Sequence, residues 1–490
     1  MVSSESIDND EETPRMTQST PATRGLHRRT LAGAAVGALG AAGAVGATGA
    51  AGPAAAEQPF RAVAQRGRVP RPNILVILAD DLGAADLGVY GSPNIETPNL
   101  DRLAASGLRF TDGYSAGAVC SPTRFALYTG RHPGRTPGGL QEPIAAPAPT
   151  AGIPPEHPTL ASLLRAQGYA TSMVGKWHGG FLPWFSPLKS GWDYFYGNYS
   201  GGLDYFSKLY AKDGYDLWEG EQQVKDPRYY TDILTEKAVD VVRRNARQSR
   251  PWLFNLNFTT PHWPWEGRGD KAVSDEITAK VQAGVPRALF HDDGGSLEKY
   301  TEMVESLDRS IGRVLDELRR TGQDRDTIVL FQSDNGGERF SYNWPFTGNK
   351  ASVNEGGIRV PMIVSWPGRI GKRQVSDVPV YTTDWTATFL ELAGAEPDPA
   401  YPLDGTSLVP HLFRGREVPE RDLFWRTRTM RALRRGELKY LRTPDGVDHL
   451  YDLGADQREQ ADLAKRRPAD LAALRSAWES VNATLLPYPA

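Results

Sequence analysis

The segment Asn73–Ala79 reads NILVILA, an unbroken apolar run that ends in the charged pair Asp80 and Asp81. A strand with one face in water alternates apolar and polar residues, so an unbroken run predicts a strand buried on both faces of a largely parallel sheet. Similar runs follow at 252–258, 327–331 and 361–366. A sheet of this kind requires helices on both of its faces.

Helical patterns lie between these runs, at 99–106, 159–167, 231–244 and 297–320. The alternation predicts an α/β fold in which a large, mostly parallel mixed sheet is sandwiched by helices. After residue 412 the pattern changes to short segments typical of antiparallel strands, at 430–441 and 449–453, and a last helix at 468–481. We therefore predict a catalytic domain at 57–412 and a small C-terminal α+β subdomain with an antiparallel sheet at 413–490.

The first 56 residues have the composition of an export signal. A polar, acidic stretch precedes the pair Arg28 and Arg29, and a weakly apolar run of Ala and Gly then extends to Ala56. Paired arginines before such a run predict a twin-arginine signal peptide and an exported protein. A run so rich in Gly and Ala inserts poorly into a bilayer, which argues against a stable membrane anchor. The net charge of −3 argues against a nucleic-acid partner.

Cys120 is the only cysteine in the 490 residues, so it forms no disulfide within the chain. We expect Ser121 to cap a helix and Pro122 to be its first residue. Cys120 would then lie at the positive end of the helix dipole, where an anion is favoured. Arg124, one turn further on, can face back toward it. By itself this pattern is also typical of an inert, buried thiol.

Polar side chains follow two of the predicted strands. Asp80 and Asp81 come after the first, and Asp334 and Asn335 come after the run at 327–331. Ligands of α/β sheets collect at the carboxyl ends of strands, and oxygen donors suit a hard cation, Ca²⁺ or Mg²⁺, better than zinc. Each pair alone is also typical of a strand-end turn or helix cap.

Four more residues are candidates for the same edge of the sheet. Lys176 and His178 follow a predicted strand at 169–175, and a spacing of two would point both side chains the same way. His262 lies between Pro261 and Pro264 in the segment 260–264, after the run at 252–258. Lys350 stands in a loop, where a lone lysine is usually a solvated charge.

Taken together, these segments resemble the type I sulfatases over nearly the whole chain that follows the signal. The matching segments, in the family's order, are ADDLG at 79–83, CSPTR at 120–124, GKWH at 175–178, PH at 261–262, SDNG at 333–336, Lys350, EGGIRVP at 355–361 and LYDL at 450–453. The resemblance implies an alkaline-phosphatase-like fold. It also implies that a formylglycine-generating maturation enzyme oxidises Cys120 to formylglycine, whose aldehyde hydrate is the nucleophile.

The resemblance further implies a role for each candidate residue. One Ca²⁺, with Mg²⁺ as the less expected ion, would be bound by the formylglycine at 120 and by the side chains of Asp80, Asp81, Asp334 and Asn335. Arg124 would steady the aldehyde hydrate, and Lys176 and Lys350 would hold sulfate oxygens. His178 and His262 would move protons.

The function expected from the sequence is hydrolysis of a sulfate monoester, carried by an aryl group or by a carbohydrate. Its expected partners are a sulfated small molecule or glycan, the maturation enzyme and the twin-arginine export machinery. Two alternatives stay open at this stage. One is a phosphonate or phosphate ester hydrolase of the same superfamily, and the other is a non-catalytic, glycan-binding relative that uses the aromatic-rich region 179–230.

Overall fold

The carboxyl ends of five parallel strands meet at one edge of the central sheet. The computed structural model describes residues 57–62, 69 and 71–489. The predicted export signal lies outside the described residues. Within the part of the chain that the structure describes, every helix is too short or too polar to span a lipid bilayer.

The central sheet has eleven strands in the order β1-β14-β3-β13-β12-β2-β11-β5-β6-β9-β10. Strands β12, β2, β11, β5 and β6 run parallel, and antiparallel pairs occur toward both sides. The strands of the chain are β1 (Gln58–Pro59), β2 (Asn73–Ala79), β3 (Leu108–Phe110), β4 (Gly113–Tyr114), β5 (Ala170–Gly175), β6 (Tyr194–Gly197), β7 (Leu209–Ala211), β8 (Gly214–Tyr215), β9 (Trp218–Glu219), β10 (Gln222–Gln223), β11 (Trp252–Asn257), β12 (Thr327–Ser333), β13 (Met362–Ser365), β14 (Gln374–Ser376), β15 (Val380–Tyr381), β16 (Asp422–Arg426), β17 (Arg431–Arg435), β18 (Leu438–Arg442) and β19 (Asp448–Asp452).

Helices cover both faces of this sheet, as the unbroken apolar runs predict. The α-helices are α1 (Pro98–Ala105), α2 (Cys120–Thr129), α3 (Leu160–Ala166), α4 (Tyr230–Asn245), α5 (Lys271–Gln282), α6 (Leu297–Arg320), α7 (Glu355–Ile358), α8 (Thr382–Ala393), α9 (Val409–Arg414) and α10 (Pro468–Asn482). Alternate residues of β2 enter two separate cores. Ile74, Val76 and Leu78 pack with α2, α3 and α8, whereas Leu75 and Ile77 pack with α1, α4 and α6. The predicted α/β sandwich is confirmed.

Two local predictions are wrong. Helix α2 begins at Cys120, with Val119 as its N-cap, and not after Ser121. The hydroxyl of Ser121 accepts a hydrogen bond from the backbone N–H of Ile144 at 3.0 Å instead of capping the helix. The apolar run at 361–366 is a buried strand, but β13 pairs antiparallel with β12. Burial on both faces produces the same apolar pattern in either strand direction.

A four-stranded antiparallel sheet, β16-β17-β18-β19, follows near the C-terminus and confirms the predicted subdomain architecture. Helix α10 packs on one face of this sheet through Leu474 and Trp478. Strand β16 is not among the sequence-predicted elements. The described residues form one compact unit, so the predicted domain boundary after residue 412 stays a prediction.

Candidate active site

The carboxyl ends of β2 and β12 bring the acidic candidates together. The two strands are in register, with Ala79 opposite Ser333, so Asp80 and Asp334 follow at the same level. Asp81 has a φ of 64°, a left-handed conformation that turns the chain sharply after the strand. Its backbone N–H lies 3.2 Å from Asp334 Oδ1, and Asn335 Nδ2 donates to its Oδ1 at 2.7 Å. All four predicted oxygen-bearing side chains are buried in one cluster.

Cys120 lies beside this cluster, in the first turn of α2. Its Sγ is 4.0 Å from Asp81 Oδ1, and the side chain is 1% exposed. Ligand atoms of Asp80, Asp81, Cys120 and His262 all lie within 4.8 Å of one another. Burial raises the pKa of the Cys120 thiol well above its usual range. The unmodified side chain is therefore a neutral thiol, which is a poor nucleophile.

Three cationic side chains surround the carboxylates. Lys176 Nζ lies 2.6 Å from Asp80 Oδ2, and Lys350 Nζ lies 2.6 Å from Asp81 Oδ2. Arg124 donates from Nε and Nη2 to Asp334 Oδ2, at 3.0 Å and 2.8 Å. The sequence predicts that Arg124 faces Cys120, but its hydrogen bonds are to Asp334 and to the Lys176 carbonyl. Lys350 is mostly buried, with its side chain 13% exposed, and it belongs to this cluster instead of being a solvated loop residue.

The two predicted histidines each leave one ring nitrogen available. His262 Nδ1 is 2.8 Å from the carbonyl of Trp263, which only accepts, so in the neutral ring the proton sits on Nδ1. Its Nε2 is then a base, 3.5 Å from Asp81 Oδ2. His178 Nε2 likewise donates to the Ile144 carbonyl at 2.9 Å, and its buried Nδ1 has no hydrogen-bond partner among the described residues.

Burial and nearby lysines keep both imidazoles neutral. Burial, then Lys176, lowers the pKa of His178 well below its usual value, and burial, then Lys350, does the same for the pKa of His262. The prediction that a spacing of two residues in a strand points Lys176 and His178 the same way is wrong. Strand β5 ends at Gly175, and His178 has a φ of 51°, so the alternation of a regular strand does not extend to His178.

The donor set fits a hard divalent cation. Asp80 Oδ1 and Asn335 Oδ1 are buried oxygens without a hydrogen-bond partner among the described residues. Burial, then the charge of Asp334, raises the pKa of Asp80 to about 8. A dication would supply partners for both oxygens and compensate the crowded carboxylates. Oxygen ligands of this kind suit Ca²⁺ or Mg²⁺.

Sequence reasoning missed several neighbours of the site. A Cβ at Gly201 would lie 2.6 Å from His178 Cε1, and one at Gly202 would lie 2.7 Å from His262 Cε1. Glu338 is 3.7 Å from Lys350 Nζ, and the ring centroid of Trp263 is 5.9 Å from it. The sequence signals for these residues are a Gly-Gly pair within an aromatic-rich region and the position of Trp263 next to His262. The contacts themselves depend on the folding of distant segments.

Comparisons with known proteins match this chain to the sulfatases. The sulfatase family model matches residues 72–395, and the model described as the C-terminal part of N-sulphoglucosamine sulphohydrolase matches residues 346–469. N-acetylgalactosamine-6-sulfatase of Homo sapiens is 35% identical over 393 residues, which cover 75% of this chain and 71% of that relative.

Two solved structures extend the comparison to the fold. Ps i-CgsB, crystallised in complex with k-i-k-neocarrahexaose, is 31% identical with a TM-score of 0.76, and the match covers 86% of this chain and 94% of that one. The PsFucS1 sulfatase from Pseudoalteromonas sp. is 26% identical with a TM-score of 0.69, covering 84% and 90%.

The chain belongs to the sulfatase family and has an alkaline-phosphatase-like α/β fold. It is a sulfuric ester hydrolase, as the motifs predict. The protein also contains a buried cluster of Asp, Cys and His side chains that could hold a metal ion.

Proposed function

We propose that this protein hydrolyses the sulfate monoester of a sulfated carbohydrate, with formylglycine at position 120 and one Ca²⁺ bound by Asp80, Asp81, Asp334 and Asn335. One observation carries the proposal: oxygen-bearing side chains from two strand ends meet beside the single cysteine, and two of their buried oxygens have no hydrogen-bond partner among the described residues. When present, the cation and the aldehyde hydrate supply Lewis acidity and a nucleophilic hydroxyl.

The residues of the chain itself then have separate tasks. Lys176 and Lys350 provide positive charge at which sulfate oxygens can bind, and this stabilises the negative charge of the transition state. Arg124 holds Asp334 in place through two hydrogen bonds. His262 accepts or returns a proton at Nε2, and His178 does so at Nδ1.

The carbohydrate part of the proposal follows from the relatives. One is described as acting on N-acetylgalactosamine-6-sulfate, and another is described in complex with a neocarrahexaose. An aryl sulfate is retained as a small test substrate. We further propose that a maturation enzyme converts Cys120 and that the signal in residues 1–56 directs export by the twin-arginine route, which the pair Arg28–Arg29 supports.

The proposal is tested on protein co-produced with a formylglycine-generating enzyme. The tryptic peptide 110–124 should then be about 18 Da lighter than its thiol form. Such protein should hydrolyse 4-nitrophenyl sulfate and sulfated sugars faster than the matching phosphate or phosphonate esters. Lys350→Ala should lower kcat by about 10²–10³-fold. Full activity of Cys120→Ala, or a preference for the phosphorus esters, would contradict the proposal.

A further inference from the structure

A surface cavity lies beside Phe290, the residue whose ring stacks on Trp263. Its volume is about 290 Å³, and its walls are formed by the β7–β8 hairpin on one side and by the segment after α5 on the other. Val281 and Leu289 form an apolar floor, which belongs to one small core cluster against which Trp263 also packs. None of the residues that line this cavity is among the catalytic candidates.

Two successive ring contacts connect this cavity to His262. The ring of His262 is 4.1 Å from that of Trp263, and Trp263 is stacked on Phe290 at 4.2 Å with an interplanar angle of 26°. The guanidinium of Arg287 lies 4.0 Å from the centroid of Phe290. Phe290 and Arg287 both line the cavity. The rings of Trp263 and Phe290 therefore link the cavity lining to His262, a proton-transfer residue.

The charged residues that line the cavity are both basic. Lys212 is exposed at the turn of the β7–β8 hairpin, and it has neither an ion pair nor a hydrogen bond with any described residue. Arg287 is paired with Asp292 at 2.8 Å. Tyr210 adds an aromatic ring to the lining. An uncompensated ammonium beside aromatic and apolar walls suits a ligand with an apolar ring face and a negatively charged substituent.

We infer that this cavity binds the sugar next to the sulfated one, and that Lys212 recognises a sulfate or carboxylate group on that neighbouring sugar. The inference rests on the proposed function, since it assigns a second binding position for a carbohydrate substrate. The volume lies just below the range of about 300–1,000 Å³ for small-molecule sites and is enough for one sugar ring. The preferred substrate is therefore an anionic oligosaccharide and not an isolated sulfated monosaccharide.

The first experiment compares Lys212→Glu with wild type, both carrying formylglycine at 120, on four substrates. These are 4-nitrophenyl sulfate, N-acetylgalactosamine 6-sulfate, a chondroitin 6-sulfate tetrasaccharide with a carboxylate on the neighbouring sugar, and an iota-carrageenan oligosaccharide with a sulfate there. We expect wild type to favour one of the oligosaccharides. Lys212→Glu should lower kcat/KM for it by about tenfold, through KM, with no change on the two small substrates.

The matched control is Lys465→Glu, the same charge reversal at an exposed lysine of the C-terminal part. It should leave kcat/KM unchanged on all four substrates. Equal losses on all substrates, no loss on any, or a wild type that prefers the monosaccharide would each overturn the inference. The two carbohydrates separate recognition of a carboxylate from recognition of a sulfate.

A binding measurement distinguishes failure of the inference from failure of the proposed function. In the Cys120→Ala background, titration calorimetry with the same oligosaccharides should show a Kd that Lys212→Glu raises about tenfold. Absence of turnover on every sulfate ester would contradict the proposed function while this titration still tests the cavity. A Kd that Lys212→Glu leaves unchanged, or no measurable binding of either oligosaccharide, would overturn the inference by itself.

Discussion

The Nζ of Lys439 lies 2.8 Å from Oε1 of Glu355, and both side chains are fully buried. Lys439 belongs to β18 of the C-terminal sheet, whereas Glu355 begins α7, five residues after Lys350. Glu459 accepts from the backbone N–H of Glu355 at 2.8 Å and also pairs with Lys439 at 2.8 Å. The C-terminal sheet therefore supports the loop that carries Lys350.

We expect Lys439→Met to destabilise the protein and to lower kcat. The substitution leaves two buried carboxylates without their shared cation, and breaking a buried ion pair in this way typically costs about 3–5 kcal/mol. Urea unfolding gives the free-energy change, and kcat on 4-nitrophenyl sulfate reports on Lys350. Lys465→Met, at an exposed position, serves as the control. An unfolding free energy equal to that of wild type would refute the support that we assign to Lys439.

Gly202→Ala should impair catalysis more than stability. The added Cβ would lie 2.7 Å from His262 Cε1 and 3.1 Å from Trp263 Cζ3, so the imidazole or the indole must move. Displacement of a catalytic group by about 1 Å can reduce the rate by about 10²-fold. Gly269→Ala is the matched control, because a Cβ there has no heavy atom within 4 Å. Equal kcat/KM values for the two variants would show that the contact with His262 is unimportant.

Removal of divalent cations should abolish activity and lower the thermal midpoint of the matured protein. Asp80 Oδ1 and Asn335 Oδ1 have no hydrogen-bond partner among the described residues, and a bound cation would provide one. A ligand at 100 times its Kd stabilises the folded state by about 2.7 kcal/mol. After EDTA treatment, Ca²⁺ should restore both properties, and Mg²⁺ should restore them less well.

The variant for this test is Asn335→Ala, whose thermal midpoint should respond less to added Ca²⁺ than that of wild type. Retention of full activity after chelation, with no metal found by elemental analysis, would rule out the cation site.

His132 should make the folded state sensitive to acid. Burial lowers the pKa of His132 to about 3, whereas the imidazole of the unfolded chain titrates near its usual value of 6.5. Between these values the unfolded state binds more protons, so the free energy of unfolding falls as the pH decreases from about 6.5 toward about 3. Protonation would also remove the acceptor at Nδ1, which receives the Gly134 N–H at 3.1 Å.

His132→Asn keeps a polar acceptor but does not titrate, so its stability should depend less on pH. The slope of the unfolding free energy against pH should decrease by at most about 1.4 kcal/mol per pH unit, the value for the binding of one proton. Denaturant unfolding at several pH values between about 4 and 8 measures the slope. Identical slopes in the variant and in wild type would exclude His132 as the group responsible.

The fold was largely predictable because a strand buried on both faces has an apolar residue at nearly every position of its sequence. The run Asn73–Ala79 is apolar at every position after the first, since alternate side chains enter two different cores. This apolar pattern does not indicate strand direction, so it predicts a parallel β13, whereas β13 is antiparallel to β12. Strand β16 was missed because its sequence, DLFWR, lacks a long apolar run.

The site was predictable only as a set of residues. Strand ends and short motifs indicate which side chains carry the chemistry, because parallel strands bring their carboxyl ends to one edge of a sheet. They do not show that Arg124 binds Asp334, or that His262 presents Nε2 to the site and His178 presents Nδ1. Those facts depend on carbonyls and carboxylates from distant segments.

The α/β architecture, the reaction class and the candidate residues around Cys120 could all be predicted from the amino-acid sequence. The pairing of their charges, the ring nitrogens left free on His178 and His262, and the ion pair between Lys439 and Glu355 follow from the folded structure alone. The difference arises from the distance along the chain over which each interaction acts. Hydrophobic periodicity and turn preferences act between neighbours in the chain, whereas hydrogen bonds and ion pairs act between groups that become neighbours only when the sheet and its loops have formed.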